Sequence, residues 1–181
     1  MNWIRVPWTG QDGTIAEVFL SEDKSVIKKI YHPEGITVSG KKTRYPPDVI
    51  KACFVNEVLW TEKLQSKWVP RLIDISEETQ TLIQEYNGPD LLNNYKAGTL
   101  HKDIPDIVEQ IIDMYKFFKL RNVYKTNGSL SNMALKGKQV IAFDFKWAQI
   151  RPNWKVVELY SYTEWLSKID KDLPEILEKL A

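Results

Sequence analysis

Apolar positions in the first half of the chain fall into several short runs and one longer periodic stretch. The short runs are β-branched and bounded by polar turns such as Ser21-Glu22-Asp23-Lys24, a pattern typical of β-hairpins. The longer stretch has apolar residues at helical spacing and follows Pro46 and Pro47, which suit the start of a helix. The pattern predicts strands over 14–20, 25–31, 71–75 and 81–86, a loop over 32–45 and a helix over 48–65.

The pattern changes after Asn87-Gly88-Pro89. The predicted elements from there on are a helix over 104–120, a small hairpin over 133–135 and 139–143, and one or two helices over 155–180. Asp103 can cap the first of these helices, and Pro105 suits its first turn. A strand-rich lobe, residues 1–86, therefore precedes a mainly helical lobe, residues 87–181, and the predicted fold class is α+β with two lobes.

The composition restricts the class of protein. The chain has 181 residues, of which 43% are hydrophobic, and this length allows a stable core without disulfides. Its net charge of +1 gives no field that would attract nucleic acid. Cys53 is the single cysteine and His32 and His101 are the two histidines, which argues against disulfides and against a Cys- or His-based metal centre. Without an apolar leader or a membrane-spanning stretch, we expect a cytoplasmic protein.

Two charged positions fall on faces that should be apolar. Glu57 lies on the apolar stripe of the predicted helix, where an unpaired carboxylate is costly; alternatively, it reaches water at the edge of the stripe. The second predicted strand carries Lys28 on one face and Lys29 on the other, and both faces are otherwise apolar. Alternation alone leaves open which of the two lysines points inward.

Polar side chains also flank the predicted small hairpin. Asp144 directly follows the apolar run that ends at Phe143, and Asn132 directly precedes the first strand of the hairpin. The end of a buried strand is a common place for a functional side chain, although a capping or turn role is an equally ordinary explanation.

In chain order these positions give a strand lysine, a glutamate in the next helix, an asparagine before a hairpin and an Asp-Phe pair after it. This order and spacing resemble the protein-kinase-like fold, with its V-A-I-K lysine, helix glutamate, catalytic-loop asparagine and D-F-G aspartate. The small atypical kinases, namely lipopolysaccharide kinases, Rio-type kinases and aminoglycoside phosphotransferases, are similar over residues 56–92, which read NEVLWTEKLQSKWVPRLIDISEETQTLIQEYNGPDLL.

The resemblance implies a site for ATP and magnesium. Lys28, paired with Glu57, would hold the phosphates, and Asn132 and Asp144 would offer oxygen ligands to Mg²⁺. Gln84 matches the residue called the gatekeeper. The other implied nucleotide contacts are Gly13 and Val18 of the glycine-rich loop, Val26 of the lysine strand, and the hinge residues Glu85, Tyr86 and Asn87.

The glycine-rich loop and the D-F-G segment depart from the kinase pattern. Of the loop pattern only Gly13 and Val18 are kept, so a plain hairpin turn at Asp12-Gly13 is an alternative. Lys146 follows Asp144-Phe145 where the family has glycine. A cation there would either do part of the work of magnesium or point away from the site.

The catalytic loop departs further. Counting back from Asn132 with the H-R-D spacing puts Asn127 where the catalytic aspartate should be, and an amide is not a useful base. A second alignment, with Asn127-Gly128-Ser129 over the H-G-D of atypical kinases, supplies no aspartate either.

Three classes of function follow from these observations. The loss of the base favours a pseudokinase or weak phosphotransferase that binds a nucleotide. The alternatives are an active ATP-dependent kinase acting on a small molecule, saccharide or protein, and an unrelated α+β binding domain. The sequence identifies neither a phosphoacceptor nor a protein partner.

Overall fold

The computed structural model describes residues 2–6, 15–32, 37–38, 41–42, 45–96, 104–125, 130–150, 167 and 170–179. The chain divides into two compact units. The first consists of residues 1–66 and 70–86, and the second consists of residues 67–69 and 87–181. Sheets and helices occur in both, so the fold is α+β with two lobes, as the sequence predicts.

The first unit is built on a five-stranded antiparallel sheet. Its strands are β1 (Trp3–Arg5), β2 (Ala16–Ser21), β3 (Val26–Tyr31), β6 (Leu72–Ser76) and β7 (Thr81–Glu85), while β4 (Thr37–Val38) and β5 (Lys41–Lys42) pair with each other. The order across the sheet is β1-β2-β3-β7-β6. The buried Ser21 hydroxyl fixes the β2–β3 turn, because it accepts the backbone N–H groups of Ser25 and Val26, each at 3.1 Å.

One helix, α1 (Pro47–Lys63), packs on this sheet. The two prolines before and at its start suit the first turn, where no intrahelical N–H partner is needed. Its buried positions recur at helical spacing and include Ile50, Cys53, Phe54, Glu57, Trp60 and Thr61. The ring of Phe54 lies 5.7 Å from that of Tyr31 on β3, so this stripe faces the sheet.

The second unit combines helices with short strand pairs. Its elements are α2 (Leu91–Lys96), α3 (Ile107–Leu120), β8 (Val123–Tyr124), a 3₁₀ turn (Leu130–Asn132), β9 (Met133–Lys136), β10 (Gln139–Ala142), β11 (Gln149–Ile150) and α4 (Leu173–Lys179). β9 pairs with β10 and β8 with β11. Gln110 joins α3 to the β9–β10 hairpin, because its side chain accepts from Val140 N at 2.8 Å and donates to the Lys138 carbonyl at 2.9 Å.

The observed elements differ from the predicted ones mainly where an element is very short. Helix α3 begins at Ile107 rather than 104, because a turn precedes it in which Ile107 N–H donates to the Ile104 carbonyl. The predicted cap Asp103 lies outside the described residues. Strands of two or three residues and a six-residue helix are too short for periodicity to predict. No helix among the described residues is long and apolar enough to cross a bilayer.

Candidate functional site

The helix glutamate lies in the interior of the first unit. Glu57 is fully buried, and its carboxylate bonds two side chains of β3. Lys29 Nζ donates to Glu57 Oε1, and the Tyr31 hydroxyl donates to Glu57 Oε2 at 2.7 Å. Each carboxylate oxygen therefore has its own donor, and the alternative that Glu57 reaches water at the edge of the stripe is wrong.

The lysine that pairs with Glu57 is Lys29, and the predicted pairing with Lys28 is wrong. Side chains alternate along a strand, so Lys29 and Tyr31 share the face that packs on α1 while Lys28 lies on the opposite face. A buried carboxylate needs a hydrogen bond to each oxygen as well as a cation. The Lys29 face offers both, because Tyr31 lies two residues further on along the same face of the strand.

Lys28 instead packs on two aromatic rings on the other face of the sheet. Its ammonium lies 4.4 Å from the ring centroid of Trp3 and 4.9 Å from that of Phe19, its cross-strand partner. Val26 lies two residues before Lys28 and shares this face. This placement corrects the prediction that Val26 lines a site together with the paired lysine.

The face of Lys29 collects other predicted residues of the first unit. Val18 lies directly opposite Lys29 on β2, and Gln84 on β7 lies opposite Ile27, two residues before Lys29. Directly opposed residues point to the same side of a sheet, so Val18, Ile27 and Gln84 share the side of the ion pair. Ile27 thus holds the place expected for Val26.

Two backbone N–H groups of the predicted hinge already donate hydrogen bonds to other backbone carbonyls of the first unit. Glu85 N–H donates to the Arg71 carbonyl at 2.9 Å, and Tyr86 N–H donates to the Ser25 carbonyl at 3.0 Å. These two amides cannot donate to an adenine ring without breaking bonds that hold the sheet. Asn87, the third of the predicted hinge residues, is buried and is the first residue of the segment 87–181 in the second unit.

In the second unit, the β9–β10 hairpin brings two predicted residues to one end. The Asn132 carbonyl accepts the Phe143 N–H at 3.0 Å, so Asn132 lies beside the residue that precedes Asp144. Two predicted site residues, Gly13 and Asn127, lie outside the described residues.

Asp144 has an unusual backbone conformation and an occupied carboxylate. Its φ angle of 65° lies in the left-handed region, which aspartate tolerates better than most residues and which is often found at functional sites. Lys146 Nζ donates to both carboxylate oxygens, at 2.5 and 2.6 Å. The other described non-glycine residues with positive φ lie at hairpin turns or a helix end: Lys24, Gln80 and Asn122.

Lys125 is a further residue of this site that the sequence did not single out. It is buried, donates from Nζ to the Asp144 carbonyl at 3.1 Å, and lies 5.2 Å from the centroid of the Phe145 ring. Phe145 in turn packs edge-on against Phe118 of α3 at 5.7 Å. The only signal was the H-R-D alignment, which puts Lys125 at the histidine position.

The described residues around Asp144 do not fit a magnesium ion as they stand. Magnesium needs carboxylate oxygens, yet both oxygens of Asp144 already accept hydrogen bonds from Lys146. Two unit charges 4 Å apart near a protein surface interact by about 4 kcal/mol, so an ammonium beside a divalent ion would be repelled by roughly twice that. Among the described residues no cluster of three or more His, Cys, Asp or Glu side chains could hold a metal. Magnesium at Asn132 and Asp144 stays an untested prediction that this geometry weighs against.

Comparison with known proteins supports the fold. Neither a protein-family model nor a curated protein matches the sequence. Among solved structures, the chain is similar to the bifunctional kinase-methyltransferase WbdD, with a TM-score of 0.68 and 15% identity over 93% of this chain and 38% of that one. Monomeric WbdD gives 0.67 and 14% over 93% and 41%, and WbdD with the kinase inhibitor LY294002 gives 0.65 and 14% over 92% and 40%. The chain therefore has a kinase-like fold and spans about two fifths of the length of these proteins.

Proposed function

We propose that the protein binds a nucleoside triphosphate such as ATP and acts as a pseudokinase or a weak phosphotransferase. The buried ion pair between Lys29 and Glu57 carries this proposal. In protein kinases a strand lysine must pair with a helix glutamate before it can hold the phosphates in place. Lys29 and Glu57 supply the same two groups from a strand and a helix.

The energetics of the pair favour a functional reason for it. Burying two charges is costly, and well-packed hydrophobic residues in their place often give equal or greater stability. An ion pair with one partner fully buried is therefore a poor device for stability alone. Positioning Lys29 to bind phosphate oxygens is a functional reason for the pair, whereas packing alone does not explain it.

The structural neighbours are compatible with this interpretation. WbdD is a kinase-methyltransferase, and one of its structures contains a kinase inhibitor. Nucleotide binding by the present chain is part of the proposal.

Weak catalysis is proposed because of Asn127. A general base typically contributes about 10²–10⁴-fold, whereas positioning and charge stabilisation dominate phosphoryl transfer. A chain with asparagine in the base position would therefore bind a nucleotide normally and transfer its phosphoryl group slowly or not at all.

Nucleotide binding is tested by thermal unfolding with ATP and magnesium. A ligand present at 100 times its Kd that binds only the folded state adds about 2.7 kcal/mol of stability, which is an easily measured shift. We expect this shift in the wild type and its loss in Lys29→Met, each compared with its own midpoint without nucleotide. The comparison with its own midpoint removes any change in basal stability.

Lys28→Met is the matched control, because the neighbouring lysine lies on the opposite face of the same strand. It should keep the shift of the wild type. No shift in any of the three proteins would contradict nucleotide binding, and equal losses in both lysine variants would contradict the role of Lys29.

The base position is tested by restoring an aspartate. We expect Asn127→Asp to raise ATP turnover, by about 10²-fold if general-base help is what the chain lacks. Turnover is measured as released or transferred phosphate, with Asn127→Ala as the control. A variant that folds and binds ATP but gains no turnover would favour a purely binding role.

A further inference from the structure

The Asp144 segment carries a fixed positive group beside its carboxylate. Lys146 Nζ contacts both carboxylate oxygens, and the two side chains are 24% and 14% exposed. The ammonium is thus close to Asp144 and still within reach of a ligand from solvent.

The position of Lys146 is set by the fold rather than by the flexibility of a surface side chain. Phe145, between the two residues, is 1% exposed and packs on Phe118. The Ala148 N–H donates to the Phe145 carbonyl at 2.9 Å, which closes a turn around Lys146. The left-handed conformation of Asp144 further fixes the direction in which the segment leaves the hairpin.

Two ammonium groups contact Asp144. Lys146 donates to its carboxylate and Lys125 donates to its backbone carbonyl. Ammonium groups act on phosphate as point charges, so they can supply attraction without coordination geometry.

We propose that Lys146, held on Asp144, takes the place of the divalent cation, so that the protein binds a nucleoside triphosphate without magnesium. This inference rests on the proposed function and specifies how the negative charge of the phosphates is met. It also accounts for the lysine in a position where the kinase pattern has glycine.

The test is isothermal titration of the full chain with ATP, once in EDTA and once in excess magnesium chloride. We expect the wild-type Kd to differ by less than about threefold between the two conditions. A Kd at least about tenfold weaker in EDTA would overturn the inference while leaving nucleotide binding intact. No binding heat in either condition, together with no thermal shift on addition of ATP and magnesium, would overturn the proposed function itself.

Substitution of the lysine sharpens the test. Lys146→Met keeps most of the side-chain volume and removes the charge, so we expect ATP binding in EDTA to weaken by about tenfold or more. Magnesium should restore part of this loss, because the Asp144 carboxylate becomes available to it. Lys138→Met, at an exposed lysine in the β9–β10 turn, is the matched control and should bind as the wild type does. An unchanged EDTA affinity in Lys146→Met would overturn the role of Lys146.

Discussion

Two lysine–carboxylate pairs in this protein show how differently the same chemistry can be built. Lys29 and Glu57 are 28 residues apart, come from a strand and a helix, and are 11% and 1% exposed. Lys146 and Asp144 are two residues apart in one turn and are 24% and 14% exposed. The first pair joins two distant elements, whereas the second lies within one turn, whose middle residue Phe145 packs on Phe118.

The two pairs differ in how accessible they are to a ligand. The first pair is closed, because Tyr31 takes the second oxygen of Glu57 and little of the pair meets water. The second pair keeps a larger accessible fraction at its cation. We therefore expect substitutions in the first pair to lower stability as well as nucleotide binding, and substitutions in the second to lower ligand binding with little effect on stability.

The same substitution in both pairs is the strongest test of this contrast. Lys29→Met leaves the Glu57 carboxylate buried and without its cation, which should lower the free energy of unfolding by about 3–5 kcal/mol. Urea denaturation measures the change. Adding Glu57→Leu should recover much of the loss, because an apolar pair removes the stranded charge. A loss below about 1 kcal/mol for Lys29→Met alone would mean that water reaches Glu57 in solution.

Tyr31→Phe sharpens the description of the first pair. It removes the hydroxyl that donates to Glu57 Oε2 and leaves the ring packed against Phe54. We expect a loss of about 1.5–3 kcal/mol, the range for hydrogen bonds to charged groups, in the same denaturation experiment. An unchanged midpoint would indicate that the second oxygen of Glu57 is satisfied in another way.

Lys146→Met should have the smallest effect on stability. A partly exposed pair between neighbouring residues contributes little, so we expect a change of about 1 kcal/mol or less. The measurement is again the urea midpoint. If Lys146→Met destabilised the protein as much as Lys29→Met does, the distinction between a buried pair that also stabilises the fold and a more exposed pair that does not would be wrong.

Much of the first unit could be predicted from the sequence because its elements are long enough to show periodicity. α1 buries residues at helical spacing, β3 buries Lys29 and Tyr31 two residues apart, and the helix glutamate stands out on an apolar stripe. The short edge strand β1 could not be predicted, because three residues carry no period of their own. Its existence depends on β2, which offers it a free edge.

The choice of lysine shows where sequence information ends. Both faces of β3 are apolar apart from one lysine each, so a one-residue ambiguity reverses every side-chain assignment on the strand. Only contacts between distant elements, such as Tyr31 with Glu57, resolve it. Lys125 was missed for a similar reason, because its partner is the carbonyl of a residue 19 positions away.

The path of the chain at residues 67–69 has a consequence for cleavage. These residues belong to the second unit although residues on both sides belong to the first, and the Trp68 carbonyl accepts the Ala142 N–H at 2.8 Å. The backbone therefore passes from one unit to the other three times. A protease that cut only between Tyr86 and Asn87 would not release two independent fragments, because the first fragment would still contribute a buried tryptophan to the second.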